Sequence, residues 1–406
     1  MMKEQRPFGK LIPYDDALEI ILEVVKEVKR KETVPLTGAS GRVLAGEVKS
    51  EISVPPFQRA AMDGFAVKAE DTYGAGKFDP VLLKSVGNIH AGDDPDITVQ
   101  KDQCAQIATG APMPRGADSV VKVEVTEKNN DDISIYKPVH PGENVSPKGE
   151  DIEEGDIVLR QKQVLSSAKI GALAAMGMDN VEVYEKPRVG IIPTGDEVVP
   201  LDEELEPGQI YDVNSYTLTS MVESNGGQAF RGTIVQDTME GLKKEIENQT
   251  EDKDMVLFSG GSSVGDKDML IDALSSLGEV IFHGVKLKPG KPTLFGIVNE
   301  TPVFGMPGYP TSCLNTAQHL ILPGLRKMAR LPSPCVRKTE AYLGKRITSS
   351  LGRQQYMTVK LDGDKAHPVY KQSGAITSMA QADGYFEIPE NVELVEKGEK
   401  VNVILF

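Results

Sequence analysis

Cysteine, histidine and long apolar runs are all scarce in this chain of 406 residues. Three cysteines lie far apart with no Cys-x-x-Cys pair, which argues against a disulfide framework or a structural zinc site. The five histidines are scattered and form no His-Glu-x-x-His motif, so a histidine metal centre is not expected. No apolar run approaches the roughly 20 residues of a membrane helix. The charged start, MMKEQRPFGK, lacks the apolar segment of a secretory signal, so we expect a cytoplasmic protein with reduced thiols.

Basic residues are outnumbered by acidic ones. The chain has 45 Lys and Arg against 60 Asp and Glu, and its formal net charge is −15. This balance argues against nucleic acid or an anionic membrane as a partner, because both need a basic surface. Any anionic ligand would have to be held by local lysines, arginines, backbone N–H groups or a metal. The length suggests roughly three domains with a sizeable core.

Two parts of the chain have the short apolar runs and turn residues that are typical of β structure. They are residues 80–147 and 335–406. Before them, the apolar spacing from Tyr14 to Arg30 predicts an amphipathic helix.

Between the two β-rich parts, strand-like and helix-like patterns alternate. Strands are predicted at Val189–Ile192, Thr233–Val235 and Met255–Phe258. The predicted helices are Ser166–Met176, Ser215–Ser224, Met239–Asn248 and Thr311–Met328. The alternation from residue 186 onward predicts a doubly wound α/β fold, a mostly parallel sheet with helices on both faces.

The stretch Asp254–Asp272 reads as a strand, a loop rich in glycine and serine, and a helix start. Such a turn lies at the carboxyl edge of an open α/β sheet, where ligands bind. Glycines let the backbone approach a ligand, and free N–H groups at a helix start favour an anion. The glycines match no complete phosphate-loop pattern, so an ordinary turn between strand and helix is the alternative.

Several strand ends in this region carry acidic or basic side chains. Glu197, Asp237 and Asp268 offer hard oxygen ligands suited to Mg²⁺, while Lys288 and Lys291 add positive charge. Together they favour phosphate-centred substitution with electrostatic help rather than covalent catalysis. A structural network of salt bridges around the sheet edge is the alternative.

Three loop residues of the first half are weaker candidates. Asp63 lies in a turn after Val54-Pro-Pro-Phe, and a loop that folds back with Phe57, Met62 and Phe65 in a core would explain that turn equally well. Thr109 lies in a Gly/Pro loop. Asp151 is a loop carboxylate of a kind that is usually solvated.

Taken together, these motifs resemble one family, the molybdopterin molybdenumtransferases, which include MoeA and the E domain of gephyrin. The matching segments occur in the family's order: PPFQRAAMDGFAV, ATGAPMPRGAD, GEDI, PTGDEV, SGGSSVGDKD, KPGKP and GMPGYPTS. The resemblance implies a multidomain α/β plus β protein. Its α/β domain would be MogA-like and doubly wound, accompanied by an elongated domain, a β-rich inserted domain and a C-terminal β-barrel-like domain.

The resemblance also implies domain boundaries. They are 1–32 for a helix joining the α/β domain, 33–53 with 148–185 for the elongated linker domain, 54–147 for the inserted domain, 186–331 for the α/β domain and 332–406 for the C-terminal domain.

The reaction implied by the resemblance belongs to molybdenum cofactor biosynthesis. Such an enzyme inserts molybdate, or alternatively tungstate, into adenylylated molybdopterin and releases AMP with the help of Mg²⁺. The family forms homodimers and receives its substrate from a molybdopterin adenylyltransferase. Alternative functions are molybdopterin adenylyl transfer and a non-catalytic role as a molybdopterin-binding scaffold.

Site residues carry over by matching each motif. Catalytic roles are implied for Asp63, Thr109, Asp151, Glu197, Asp237 and Asp268, of which Glu197, Asp237 and Asp268 would bind the metal. Substrate-binding roles are implied for Ser259, Gly260, Gly261, Ser263, Lys288, Lys291, Pro307, Pro310, Arg353 and Ser373.

The chain departs from the family pattern at a few positions. Tyr309 occupies the usual asparagine position of the Pro-Gly-Asn-Pro loop, and Ala60 or Ala61 replaces the serine before Met-Asp-Gly. Asp383 stands where asparagine is frequent. These departures bear on details of ligand contact.

Overall fold

The computed structural model describes residues 11–94, 96–260, 269–369 and 374–406. The chain divides into two compact units. The smaller unit comprises residues 33–40 and 44–183, and the larger unit comprises the described residues up to 32, residues 41–43 and the chain from 184 onward. Within the described ranges, no helix has both the length and the apolar character needed to cross a membrane.

One helix, α1 (Tyr14–Val24), precedes the smaller unit. The predicted extension of this helix to Arg30 is wrong, because Val25 already has an extended backbone, with φ −68° and ψ 133°. Val25 and Val28 are nevertheless buried, and the Val28 N–H donates to the carbonyl of Met328 over 2.9 Å. The apolar spacing therefore identifies the buried residues correctly, although Val25 and Val28 lie in a non-helical segment after α1.

Most of the smaller unit is β structure, as its short apolar runs predict. Its strands, including residues at its borders, are β1 (Lys31–Pro35), β2 (Val48–Lys49), β3 (Arg59–Ala60), β4 (Gly64–Val67), β5 (Val81–Ile89), β6 (Gln103–Ile107), β7 (Ser119–Lys122), β8 (Thr126–Asn129), β9 (Asp132–Ile135), β10 (Val145–Ser146), β11 (Ile157–Leu159) and β12 (Asn180–Tyr184). One helix, α2 (Ser167–Ala175), confirms the helix predicted at Ser166–Met176. The main sheet has the order β7-β4-β6-β5-β9-β8, and the other strands form the pairs β1-β12, β3-β10 and β2-β11.

The larger unit contains the remaining elements. Its helices are α3 (Asn214–Ser224), α4 (Met239–Thr250), α5 (Met269–Leu277), α6 (Pro310–Thr316), α7 (Leu322–Met328) and α8 (Thr377–Ala380). Its strands are β13 (Arg188–Pro193), β14 (Val198–Val199), β15 (Ile210–Tyr211), β16 (Gln228–Arg231), β17 (Met255–Ser259), β18 (Glu279–His283), β19 (Leu287–Lys288), β20 (Leu294–Val298), β21 (Thr301–Met306), β22 (Lys338–Leu343), β23 (Ile347–Thr348), β24 (Gln354–Asp362), β25 (Lys365–Pro368), β26 (Gly384–Ile388), β27 (Leu394–Val395) and β28 (Lys400–Leu405).

The predicted doubly wound α/β fold is confirmed. Strands β16-β13-β17-β21 run parallel, and the antiparallel strands β20 and β18 complete the sheet. On one face, α1, α3, α6 and α7 contribute to a shared apolar core. On the other face, α4 and α5 form a second core. Every residue of β17 is buried, as its uninterrupted apolar run predicts for a strand covered on both faces.

The strand predicted at Thr233–Val235 is wrong. The edge strand is β16, four residues of which three are exposed, whereas Val235 makes only an isolated bridge with Thr194. Strand β16 is an edge strand with polar residues and therefore has little apolar pattern. The more apolar segment Thr233–Val235, which follows it, was predicted as the strand instead.

The single helix predicted at Thr311–Met328 is interrupted. Between α6 and α7, residues Ala317–Ile321 form a π-helical segment. Pro323 has no N–H to donate to the carbonyl of His319, four residues earlier. That carbonyl instead accepts a hydrogen bond of 3.3 Å from the Tyr14 hydroxyl of α1.

A closed β-barrel forms the C-terminal part of the larger unit. Strands β24-β25-β22-β28-β26 follow one another, and pairing between β26 and β24 closes the barrel. Strand β19 of the α/β region pairs in parallel with β24, aligning Lys288 with Gln355. The predicted C-terminal β-barrel-like module is therefore confirmed.

Candidate functional site

Three neighbouring parallel strands end at one edge of the larger unit's sheet. Pro193 at the end of β13 aligns with Ser259 of β17, which in turn aligns with Met306 of β21. The helix that follows β13 packs on one face of the sheet, and the helix that follows β17 packs on the other. A crevice opens where the connections from two adjacent strands leave toward opposite faces, and ligands bind there in open α/β sheets.

Backbone hydrogen bonds hold these strand ends together. The Thr194 N–H donates to the Ser259 carbonyl over 3.0 Å, and the Gly260 N–H donates to the Met306 carbonyl over 3.2 Å. Gly260 has φ +113°, and a Cβ there would lie 2.4 Å from the Thr194 carbonyl oxygen. Only glycine fits this backbone, so the first glycine of the predicted loop serves the close approach of two strand ends.

A cavity of about 1290 Å³ lies at this edge. Predicted site residues that line it are Glu197, Asp237, Ser259, Gly260, Lys288, Lys291, Pro307, Pro310 and Arg353. The structure thus brings these nine together in one place. Gly261, Ser263, Asp268 and Ser373 lie outside the described residues.

Acidic side chains form one part of the cavity and its rim. Asp237 is partly buried, and burial together with the nearby carboxylates of Asp196 and Glu197 raises its pKa. The Asp237 Oδ1 atom is buried and has no hydrogen-bond partner in the described parts of the chain. Such an oxygen is costly unless a cation or a proton satisfies it. These hard oxygen donors therefore fit Mg²⁺, although the described residues form no group of three acidic, histidine or cysteine side chains arranged around a metal.

Basic side chains form another part of the cavity. The Lys288 Nζ donates to the Ser350 hydroxyl over 2.9 Å. Burial and the neighbouring Arg353 guanidinium lower the pKa of Lys288. Two cations held close together favour an anion between them, because it relieves their mutual repulsion.

The backbone between Lys288 and Lys291 is held by the helix behind it. The Asn315 side chain donates to the Pro289 carbonyl over 2.7 Å. Gly290 has φ +127°, and a Cβ there would lie 2.5 Å from the Thr316 hydroxyl oxygen. Asn315 and Thr316 of α6 therefore fix the backbone of the loop between Lys288 and Lys291.

Several residues of the cavity were not predicted from the sequence. Asn214, at the start of α3, donates from Nδ2 to the Gly308 carbonyl over 2.8 Å, while its Oδ1 is buried and unpaired in the described chain. Leu205, together with Ile210 and Tyr211 of β15, supplies an apolar wall. Asn214 could have been found from its position at a helix start that follows a strand end. The apolar wall has no comparable sequence signal.

In the smaller unit, the structure brings Asp63 and Thr109 together. The Asp63 Oδ1 accepts the Thr109 backbone N–H over 2.8 Å and the Thr109 hydroxyl over 3.0 Å, and these two hydrogen bonds lower the pKa of Asp63. The pairing of Gly64 with Ile107 in β4 and β6 positions both loops. A Cβ at Gly64 would lie 1.9 Å from the Val121 carbonyl oxygen, so this glycine is required.

Other expectations for the smaller unit had mixed outcomes. Phe65 is buried as expected, but Phe57 and Met62 are exposed, so the alternative of a loop folded around all three is wrong. Asp151 is exposed, and its N–H donates to the Val54 carbonyl over 3.0 Å.

Comparison with known proteins covers nearly the whole chain. Three family models match in succession: the MoeA N-terminal region (domains I and II) at residues 12–177, a probable molybdopterin binding domain at residues 190–327, and the MoeA C-terminal region (domain IV) at residues 340–406. The crystal structure of a molybdopterin biosynthesis MoeA protein from Pyrococcus horikosii is 42% identical, with a TM-score of 0.84, and the match covers 98% of this chain and 99% of that one.

Curated relatives agree with this match. Molybdopterin molybdenumtransferase 2 of Mycobacterium tuberculosis is 35% identical over 92% of this chain and 95% of its own length. The molybdopterin molybdenumtransferase of Nostoc sp. is 34% identical over 99% of this chain and 95% of its own length. The chain belongs to the MoeA family.

Each MoeA region contains some of the predicted site residues. The N-terminal region includes Asp63, Thr109 and Asp151. The molybdopterin binding domain includes the acidic residues and the lysines of the cavity, and the C-terminal region includes Arg353. The cavity of this MoeA-family protein is thus built from two of the three regions, joined where β19 pairs with β24.

Proposed function

We propose that this MoeA-family protein is a molybdopterin molybdenumtransferase, which inserts molybdate or tungstate into adenylylated molybdopterin and releases AMP. One observation carries the proposal. A single cavity is lined by the unpaired carboxylate oxygen of Asp237 and by the adjacent cations Lys288 and Arg353. Such a cavity suits a reaction that joins an oxyanion to a phosphate-bearing substrate.

Lys288, Lys291 and Arg353 are proposed to bind the incoming oxyanion. Lys288 lies near Arg353 and is oriented by Ser350, so an anion gains two charge-assisted hydrogen bonds at little conformational cost. This local positive charge offsets the protein's net charge of −15, which would otherwise repel both substrates.

Glu197 and Asp237, together with Asp268, are proposed to hold Mg²⁺. When bound, Mg²⁺ would neutralise phosphate charge on the substrate. Asp237 suits this role because its buried oxygen lacks a partner and its own neighbours are acidic. Ser259, Gly260, Gly261, Ser263, Pro307, Pro310 and Ser373 are proposed to shape the substrate-binding surface around these charged groups.

Asp63, Thr109 and Asp151 are proposed to complete the site in a homodimer. The Asp63–Thr109 pair supports this role, because a carboxylate fixed by two hydrogen bonds at an exposed position is ready to receive a ligand. A cytoplasmic location and supply of the substrate by a molybdopterin adenylyltransferase are part of the same proposal.

Two alternatives receive less support. A molybdopterin adenylyltransferase would need only the α/β region, which leaves Arg353 of the barrel and the smaller unit without a role. A non-catalytic scaffold would not need a carboxylate oxygen buried without a partner.

The proposal is tested by AMP release. Purified protein is given adenylylated molybdopterin, Mg²⁺ and molybdate, and AMP is measured over time. Lys288→Ala should reduce kcat/KM for molybdate by roughly 10- to 150-fold, the equivalent of a lost charged hydrogen bond. The matched control is Lys286→Ala, whose lysine pairs with Glu390 over 3.4 Å and should matter little. AMP formation no faster than without enzyme would contradict the proposal.

A further inference from the structure

Tyr309 is an exposed aromatic residue within the lining of the cavity. Its exposed fraction is 66%, although it lies between the cavity residues Gly308 and Pro310. Leaving a large ring in water forgoes the free energy that its burial would contribute. Single exposed aromatic rings are common on protein surfaces, so the informative feature is that this ring belongs to the cavity lining.

The backbone that carries this ring is fixed on both sides. The Gly308 carbonyl accepts the Asn214 side-chain hydrogen bond of 2.8 Å, and the Tyr309 carbonyl accepts the Cys313 N–H over 2.9 Å. Pro310 begins helix α6 and restricts the backbone further. The backbone position from which the ring projects is thus set by the strand end and by the helix start.

The ring itself is left available. A Cβ added to Gly374 would lie 3.6 Å from the Tyr309 Cδ1 atom. The C-terminal part of the chain therefore approaches one edge of the ring. Across the described residues, no hydrogen bond to the Tyr309 hydroxyl and no stacking with another ring occurs. An exposed aromatic face on a fixed backbone suits stacking with a flat ligand ring.

We infer that Tyr309 is a stacking platform for a planar heteroaromatic ring of the substrate. This inference rests on the proposed function, whose substrate contains two such rings, a pterin and an adenine. The cavity places this platform in the same space as Lys288 and Arg353, which suits a ligand with a flat ring and an anionic group. Because the family motif has asparagine at this position, the platform would be a specificity feature of this chain.

The absence of tryptophan from the chain allows a direct test. Tyr309→Trp places a single tryptophan at the proposed platform, and its fluorescence is titrated with neopterin monophosphate and, separately, with AMP. Saturable quenching by one probe identifies which ring stacks. The matched control is Tyr342→Trp, at a tyrosine 47% exposed on β22 and outside the cavity lining, where either probe should cause only non-saturable absorption losses.

Affinity provides an independent measurement. Tyr309→Ala should raise the Kd of the quenching probe by roughly 5- to 150-fold, the effect of losing one base–aromatic stack, whereas Tyr309→Phe should keep it within about twofold. Ribose 5-phosphate, which has no aromatic ring, should bind wild type and Tyr309→Ala equally. Thermal melting of each variant confirms that it is folded.

No saturable quenching of Tyr309→Trp by either probe, or an unchanged Kd in Tyr309→Ala, would overturn the inference. These outcomes are distinct from a failure of the proposed function. If AMP release occurs but Tyr309→Ala binds normally, only the platform is wrong. If the probes stack on Tyr309→Trp but no AMP is released, the platform stands and the transferase activity does not.

Discussion

At the scale of single residues, Asp237 is a proposed metal ligand whose burial has a cost in stability. Its pKa in the folded protein is raised by burial and by two neighbouring carboxylates. Between its unfolded pKa and this higher folded pKa, the native state binds more protons than the unfolded state, so stability falls as pH rises through that window. Above the window, ionised Asp237 destabilises the apo protein unless a cation is bound.

We therefore expect Asp237→Asn to raise the thermal midpoint of the Mg²⁺-free protein at neutral pH while strongly reducing AMP release. Removal of the charge relieves repulsion from Asp196 and Glu197, and it also removes a proposed Mg²⁺ ligand. Differential scanning calorimetry with and without Mg²⁺ checks this. Mg²⁺ should stabilise the wild type by more than the variant. An equal effect of Mg²⁺ on both proteins would exclude Asp237 as a ligand.

A second residue-scale prediction concerns Gly260. Gly260→Ala should destabilise the protein by roughly 1–3 kcal/mol, because the backbone has a positive φ and the new Cβ would meet the Thr194 carbonyl. Chemical denaturation measures the change. The matched control is Gly171→Ala in helix α2, where no atom lies within 4 Å and alanine should stabilise by roughly 0.5–1 kcal/mol. Equal stabilities of the two variants would disprove the predicted steric requirement.

Sequence patterns indicated two residues of the cavity because they lie at the ends of strong apolar strands. Glu197 and Ser259 were found because β13 and β17 are buried on both faces and end abruptly in polar residues. Tyr211 was missed because it belongs to the two-residue strand β15, which has no detectable apolar pattern. The Asp63–Thr109 contact depends on pairing between distant strands, which no local pattern encodes.

At the scale of elements, the π-helical segment Ala317–Ile321 joins the α/β layer to the barrel. Its His319 ring stacks on Tyr356 of β24 with ring centroids 3.5 Å apart, and Tyr385 of β26 meets it edge-on at 5.0 Å. The sequence predicted one continuous helix here, because the spacing of apolar residues is the same on both sides of Pro323. That spacing contains no information about the backbone hydrogen bond that the proline cannot make. The altered hydrogen bonding is the local adjustment that Pro323 imposes.

Burial lowers the pKa of His319 to about 3. Below its unfolded pKa of about 6.5 the unfolded chain takes up a proton that the folded chain does not, so stability falls as pH falls from about 6.5 toward 3. We expect a loss on the order of 3 kcal/mol from this group between pH 7 and pH 4. His319→Phe keeps a ring against Tyr356 and should remove that part of the acid sensitivity in urea titrations. A wild-type pH dependence in the variant would contradict this account.

At the scale of the whole molecule, the proposed homodimer makes a prediction about shared sites. If Asp63 of one subunit acts with Asp237 of the other, Asp63→Ala and Asp237→Ala should each be inactive alone but partly active when mixed. Random exchange makes half of the dimers mixed, with one intact site of two in each, so about a quarter of wild-type activity should return. Analytical ultracentrifugation establishes the dimer first.

No recovery on mixing, in dimers shown by mass spectrometry to have exchanged subunits, would mean that the two residues do not act in one shared site.

The domain boundaries proposed from the family resemblance remain a prediction at this scale. The α/β alternation and the two β-rich parts were visible in the sequence, because each has its own apolar period. The closure of the barrel was expected from the resemblance alone, since it depends on pairing of β26 with β24.

The position of α1 has a consequence for how the protein is made. This helix contains Ile21, whose side chain lies 3.2 Å from where a Cβ on Gly324 would be, and it shares a core with residues near the end of the α/β region. A ribosome adds roughly 5–20 residues per second, so α1 emerges on the order of tens of seconds before its partners exist. The smaller unit can complete its own core in that interval. We therefore expect nascent chains to hold a folded smaller unit beside an unpacked, chaperone-accessible first helix.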